Sequence, residues 1–260
     1  MTSQFKLINR LMMETLFVGK NIFKFDEIPS TNDWLMNHLL EQKLTEGTLV
    51  LAKHQTKGKG QRGSSWEAEA SKSLTFSILF KPHFLKLAQA FDMSICVALA
   101  IQDCLSELRP GFSIKWPNDI YFEDQKIAGI LIENQISKST YQHAVVGIGL
   151  NLNQTHFENL PQAVSLKQII GVDFAYQQVL ERICECLEIR YLQLRSGGYE
   201  DLKKMYLSNL YWLHQSHSFE VAGRIRKGMI TDVLRDGSLQ VDFGNHELQS
   251  FDVKEIVFVK

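Results

Sequence analysis

Five consecutive residues, Lys115-Trp116-Pro117-Asn118-Asp119, set four chemically unlike groups side by side. The lysine can hold negative charge on a phosphate, and the tryptophan offers a large apolar face. The proline fixes the backbone and removes a donor. The Asn-Asp pair can bond its own backbone or a ligand. Apolar runs flank the stretch, Phe112–Ile114 and Ile120–Phe122, and both read as strand ends. A cation held rigidly at a strand end suits the stabilisation of charge that develops during group transfer. The same stretch also reads as a surface turn with a solvated lysine.

A second cationic stretch runs from Gln55 to Trp66. Within it Gly58-Lys59-Gly60-Gln61-Arg62-Gly63 has the G-x-G-x-x-G spacing of dinucleotide folds. That fingerprint requires a helix straight after the loop. Here Ser64-Ser65-Trp66 and a polar stretch lead into another strand, so the spacing is a decoy. No G-x-x-x-x-G-K-[ST] loop is present either. What remains is three glycines that expose backbone N–H groups, interleaved with Lys57, Lys59 and Arg62, and such a loop can wrap an anion. Trp66 can cover a base or ring. Alone, the stretch also reads as a flexible solvated loop with a core tryptophan. Paired with Lys115, it points to one shared phosphate site. There is no G-x-S-x-G elbow and no H-E-x-x-H, and His54 reads as structural. The sequence offers no covalent nucleophile, which favours catalysis by positioning and electrostatics, as in nucleotidyl transfer.

The elements that must position these loops alternate in type. Ile22–Phe25 reads as a strand, followed by a helix over Asn32–Leu40 capped by Ser30 or Thr31. Thr48–Ala52 and Ser73–Phe80 read as strands, and Leu85–Leu108 as a long, mostly buried helix. Strands Ile120–Phe122 and Ile127–Glu133 flank a polar hairpin turn at 123–126. Ala144–Leu150 is a further strand, and helices follow at about 175–195 and 199–210. Beyond His214 the chain reads as short strands, with turns at Lys227-Gly228, Asp236-Gly237 and Gly244-Asn245. Asp236-Gly237 between two apolar runs is a hairpin signal. The order predicts an α+β fold, a mixed sheet flanked by helices over 19–213 with a small C-terminal β-domain over 219–260. Residues 1–18 are expected to form a loosely packed extension.

Composition narrows the partners. The 260 residues carry a formal net charge of −1, without the basic excess that drives nucleic-acid binding. The longest apolar run, Ser94–Ile101, is far shorter than the ~20 residues of a membrane span. The four cysteines, Cys96, Cys104, Cys184 and Cys186, all fall in helical stretches without the spacing of zinc ligands. They read as buried thiols, which suits a cytoplasmic location.

The motifs, taken in order, resemble those of the biotin protein ligases. The chain has Ser30-Thr31-Asn32, the Gln55-to-Trp66 loop, Lys115 to Asp119, Gly129-Ile130-Leu131-Ile132-Glu133 and Gly147-Ile148-Gly149-Leu150-Asn151. The resemblance covers about residues 20–212, and the β-module is similar to that family's SH3-like C-terminal domain. It implies a catalytic domain of the class II aminoacyl-tRNA synthetase-like type. The implied reaction joins biotin and ATP into biotinyl-5′-adenylate with release of pyrophosphate. Biotin then passes to one lysine of a biotin carboxyl carrier domain, such as that of acetyl-CoA carboxylase.

The resemblance also implies roles. Ser30, Thr31, Asn32 and Gln55 would hold the ureido ring of biotin, and Gly129 and Leu131 would line its tail. Lys59, Gly60, Gln61 and Arg62 match the loop over the carboxylate and phosphates. Trp66, Asn118 and Asn151 would lie at the nucleotide. Lys115 and Arg62 would act on the reacting phosphate. ATP with Mg²⁺ is implied, without ligands named for the metal, and a homodimer through sheet edges is one arrangement the family suggests. About 20 residues precede the first strand, too few for a helix-turn-helix, so a monofunctional ligase without nucleic-acid binding is expected. A non-catalytic biotin or adenylate sensor and a lipoate-type ligase remain alternatives. The loop departs from arginine-rich members of the family at Lys59 and Gln61.

Overall fold

The structure is a computed structural model and describes residues 14–39, 43–137, 140–158, 160–244 and 247–259; of Arg62 it describes the backbone alone. A seven-stranded sheet forms the larger part. Its strands are β1 (Ile22–Ile28), β2 (Leu49–Gln55), β3 (Ser73–Phe80), β4 (Phe112–Lys115), β5 (Asp119–Phe122), β6 (Gln125–Ser137) and β7 (Thr140–Asn151), in the order β1-β2-β3-β7-β6-β5-β4. Only the β1–β2 pair is parallel.

Side chains alternate between the sheet's two faces. Leu49, Leu51, Leu74, Phe76, Ile78, Ala144, Val146, Ile148 and Leu150 meet the main core. Three helices cover that face: α2 (Ala90–Leu108), α4 (Tyr176–Arg195) and α5 (Tyr199–Ser208). The opposite face is covered at one end by α1 (Thr31–His38), whose Leu35 packs with Val50, Leu79 and Val145. Ser30 is the cap of α1, its hydroxyl accepting the Asp33 N–H at 3.3 Å. Beyond α1 this second face carries small residues, and the cavity lies there.

The second sheet holds β8 (Ser216–Val221), β9 (Arg224–Val233), β10 (Leu239–Asp242), β11 (Leu248–Phe251) and β12 (Ile256–Val259), in the order β11-β10-β9-β8-β12, all antiparallel. It is a small barrel-like unit, and its buried residues Phe219, Ile230, Val233 and Leu239 join the main core. The Trp116 indole N–H donates to Gly237 O at 2.8 Å, and Arg235 meets Asp92 at 3.0 Å, so the two sheets pack as one body.

Several expectations change. β1 and β2 both run three residues beyond the apolar runs that announced them, which puts Gln55 inside β2. The long helix begins at Ala90, because a single 3₁₀ turn closed by Lys86 and Gln89 occupies 87–89. That turn and helix are long and apolar enough to cross a membrane, yet here they form the core helix under the sheet. Lys227-Gly228 lies in the middle of β9 and is no turn. A Cβ on Gly228 would sit 2.7 Å from Val241 and 3.0 Å from the Phe243 ring, so close approach is what the glycine serves. A short helix, α3 (Leu166–Ile170), was not expected. Finally, 14–18 are not loosely packed. Val18 is fully buried, and the N–H groups of Leu16, Phe17 and Val18 donate to the Glu188 carboxylate at 2.5–3.0 Å. Residues 1–13 lie outside the described residues, as does Asn245 of the third expected turn.

Candidate active site

A cavity of about 240 Å³ opens on the second face of the large sheet. Its floor is set by strand register. Thr75, Gly149, Gly129 and Asp119 form one row across β3, β7, β6 and β5; Ser77, Gly147 and Leu131 form the next. Three of these positions lack a side chain, and each lack is filled. A Cβ on Gly149 would overlap the Trp66 indole, one on Gly129 would lie 3.1 Å from it, and one on Gly147 would overlap Asn32 Oδ1. The glycines let an aromatic ring and an amide lie flat on the sheet.

One end of the cavity is a neutral hydrogen-bonding cluster. Gln55 Oε1 accepts the Thr31 N–H at 2.7 Å and the Thr31 hydroxyl approaches it at 3.0 Å. That hydroxyl also lies 2.6 Å from Ser77 Oγ, which donates to Asn32 Oδ1 at 2.5 Å. Asn32 in turn donates to Glu133 at 2.8 Å. Thr31, Asn32 and Ser77 are buried. This chain fixes side-chain orientations before any ligand arrives.

The other end is cationic. Lys126, at the start of β6, pairs with Asp119 at 2.6 Å, and its ammonium lies 5.8 Å from the Trp66 ring centre. Lys59, nearer the first end, pairs with Asp33 beside Asn32, and the hydrogen bond it donates to that carboxylate holds the ammonium above the ordinary lysine range. Lys254 of the small domain also lines the cavity. Among the described residues that makes three lysines against one carboxylate, Asp119, at the cavity wall. The arrangement accepts a ligand that is neutral at one end and anionic at the other. No group of three or more His, Cys, Asp or Glu side chains among the described residues could hold a metal. The donors present suit an Mg²⁺ carried mainly by phosphate oxygens and water.

The structure brings together Ser30, Thr31, Asn32, Gln55, Lys59, Gly60, Gln61, Trp66, Asn118, Gly129 and Leu131 around the cavity. Two expected residues are elsewhere. Lys115 does not line the cavity; its ammonium stands 4.7 Å from the Phe258 ring centre and 5.3 Å from that of Tyr121, drawn toward the small domain by cation–π attraction. Asn151 is buried and donates to Val164 O at 3.1 Å, so its amide ties down the segment after β7, and it is not among the residues lining the cavity. The Arg62 side chain is outside the described residues. Sequence reasoning missed Lys126, Ser77 and Lys254, and singled out Asp119 only as part of the Asn118-Asp119 pair. Lys126 sits in what reads as a hairpin turn, and only the register of β5 against β6 reveals where it lies.

Fold and site together define a ligand-binding α+β domain with a small β-domain at its cavity mouth. The model of the biotin/lipoate A/B protein ligase family matches residues 24–151. The biotin protein ligase of Aquifex aeolicus, solved with biotin and ATP, superposes with a TM-score of 0.77 at 25% identity, covering 93% of this chain and 99% of that one. The bifunctional ligase/repressor BirA of Bacillus spizizenii is 29% identical over 206 residues, 76% of this chain and 62% of its own. The biotin–[acetyl-CoA-carboxylase] ligase of Mycobacterium tuberculosis is 26% identical over 228 residues, 83% of this chain and 80% of its own. The chain thus spans about three fifths of the two Bacillus BirA relatives. Residues 24–151 are similar to the biotin/lipoate A/B protein ligase family, and the fold is similar to that of a solved biotin protein ligase.

Proposed function

We propose that this chain is an ATP-dependent biotin ligase, which makes biotinyl-5′-adenylate and transfers biotin to a lysine of a biotin carboxyl carrier domain. One observation carries the reading: the cavity joins a neutral, pre-ordered hydrogen-bonding end to a lysine-bearing end across a glycine floor. Biotin has the same polarity, a cyclic urea at one end and a carboxylate at the other.

The urea presents one oxygen acceptor and two N–H donors. The hydroxyl of Thr31 and the amide of Gln55 can exchange their mutual bonds for bonds to it. Gly147 and Gly149 let the Asn32 amide and the Trp66 indole lie flat on the sheet, so that both border the space the rings would take. The tail then runs past Gly129 and Leu131 toward Lys126. There the ammonium offsets charge on the carboxylate and on the α-phosphate as a carboxylate oxygen attacks phosphorus and pyrophosphate leaves. Asp119 holds Lys126 at the floor. In the second step the carrier's lysine amine attacks the acyl carbon and AMP departs. When bound, Mg²⁺ would offset charge on the phosphates, with Asp119 the carboxylate that lines the cavity among the described residues. The roles that the family resemblance suggests for Lys115 and Asn151 would require both side chains to leave their present partners. We therefore assign the charge-stabilising role to Lys126.

The test is biotin-dependent exchange of labelled pyrophosphate into ATP, with lipoate as the competing acid. Exchange with biotin and none with lipoate is expected. Failure of biotin to support exchange would leave binding without catalysis, and exchange with lipoate would reassign the substrate.

A further inference from the structure

We infer that Glu133 of β6 is a positioning residue for the ring end of the ligand: its carboxylate sets the direction of a chain of amide and hydroxyl protons, so that Thr31 meets the ligand as a hydrogen-bond acceptor. The inference rests on the biotin reading. Neither Glu133 nor Ser77 lines the cavity, yet both belong to the chain that ends there. An ionised carboxylate only accepts hydrogen bonds. The Asn32 amide therefore turns its NH₂ toward Glu133, at 2.8 Å, and its Oδ1 toward Ser77. Its place is set by Gly147, the register partner of Ser77, on which the amide lies; a Cβ there would overlap Oδ1.

The other protons follow in turn. Ser77 has one hydroxyl proton and gives it to Asn32 Oδ1 at 2.5 Å. The 2.6 Å bond between Thr31 and Ser77 must then be donated by Thr31. That leaves Thr31 without a proton for Gln55 Oε1, 3.0 Å away, which already accepts the Thr31 N–H at 2.7 Å. The chain ends in two oxygens that face each other with no proton between them, and such a pair calls for an N–H from outside. A urea brings two; the dithiolane of a lipoyl group brings none. Without the charge at position 133 the chain can run the other way. In Glu133→Gln the new amide can donate to Asn32 Oδ1, Asn32 to Ser77, Ser77 to Thr31 and Thr31 to Gln55. This direction puts a proton between Thr31 and Gln55, so it is the favoured one, and the acceptor pair closes. Glu133 also acts electrostatically on Lys59, so a plain loss of charge is the rival explanation.

Glu133→Gln, Ser77→Ala and the double variant test this by calorimetric binding of biotin, desthiobiotin and ATP, alongside the exchange assay. Each single variant should bind biotin and desthiobiotin about tenfold more weakly, the worth of one hydrogen bond, because both ligands carry the urea. ATP affinity and kcat at saturating biotin should stay within about twofold, with the change in KM for biotin, since the reacting carboxylate lies at the other end. The double variant should bind biotin no more than about twofold more weakly than either single one, because Ser77 and Glu133 act in one chain. A charge effect through Lys59 would instead spare Ser77→Ala, or make the two losses multiply. Either of those results would overturn the inference. So would unchanged biotin affinity in Glu133→Gln, or an equal fall in ATP affinity and kcat, which marks general damage. Absence of biotin binding by the parent protein would sink the ligase reading and the inference with it, whereas binding by the parent that Glu133→Gln leaves unchanged overturns the positioning role alone.

Discussion

Lys126 and Lys115 lie eleven positions apart and differ in what surrounds their ammonium groups. Lys115 is held between two aromatic rings near the small domain, and Lys126 is held by a carboxylate at the glycine floor. Replacing a preorganised charge at the reacting centre costs about 10²–10³ in rate. Lys126→Ala should therefore slow biotinyl-adenylate formation by that amount in single-turnover assays, with biotin affinity reduced far less. Lys115→Ala should slow it about tenfold or less, through a looser seat for Tyr121 and Phe258. A larger loss for Lys115 than for Lys126 would reverse the assignment. Gly149→Ala is a second case at this scale. The added methyl overlaps the Trp66 indole, so the ring must leave its seat. ATP and biotin affinity should both fall by at least tenfold, about 1.4 kcal/mol, with thermal stability changed little because Trp66 lies on the cavity side. Retained affinity for both ligands would show that the indole's seat is not part of the site. Ser30, Thr31 and Gln55 were singled out because they stand in the ordered motifs that carry the family resemblance, the local sequence alone marking only a helix cap at Ser30 or Thr31. Lys126 was not, since a lysine in a polar turn has no mark of its own until β6 is registered against β5.

At the scale of elements, composition reads best where a strand or helix is regular. Ser73–Phe80 is fully buried and runs over the residues its alternation predicts, and the Asp236-Gly237 turn joins β9 to β10 as its type demands. Short or contact-defined pieces escape. The five residues of α3 exist by virtue of a capping box between Ser165 and Gln168 and the left-handed Gly171 that ends them. The segment 14–18 reads as a loose extension because its anchor is 170 residues away. Glu188 on α4 is buried and receives three backbone N–H groups from that segment. Hydrogen bonds to a charged acceptor are worth about 1.5–3 kcal/mol each, and bonds sharing one carboxylate do not add in full. Glu188→Ala should lower unfolding stability by roughly 3 kcal/mol in urea titrations, and should expose the backbone around Phe17 to protease. Glu188→Gln, which keeps one acceptor oxygen, should lose about half as much. Equal stability of the Ala variant would mean that water replaces the carboxylate there.

For the whole molecule, the seam between the two domains decides whether the cavity mouth is complete. Asp92 of α2 lies at that seam, 1% exposed, with Arg235 of the small domain at 3.0 Å and one carboxylate oxygen that is buried without a partner. Burial pushes the Asp92 carboxyl above its ordinary value of 3.8, and the Arg235 hydrogen bond pulls it back only in part. The sign follows from proton counting. With the folded pKa above the unfolded one, the folded state binds more protons between the two values, and Asp92's contribution to stability declines as pH rises through its folded pKa. Arg235 limits that decline, since it is the partner of the ionised form. Arg235→Ala should therefore leave stability nearly unchanged near pH 3.8 and lower it progressively toward neutral pH. Breaking a buried pair costs about 3–5 kcal/mol. The guanidinium here is half exposed, so a loss of about 2 kcal/mol at pH 7 is the expectation. Asp92→Asn removes the ionisation and should flatten the same part of the pH profile. Urea unfolding of the parent and both variants between pH 4 and 7 measures all three slopes. The seam also carries the Trp116–Gly237 bond and holds Lys254 at the mouth, so Arg235→Ala should raise KM for ATP more than KM for biotin. A parallel rise in both would mean that the seam supports the large sheet as a whole and not the nucleotide half alone.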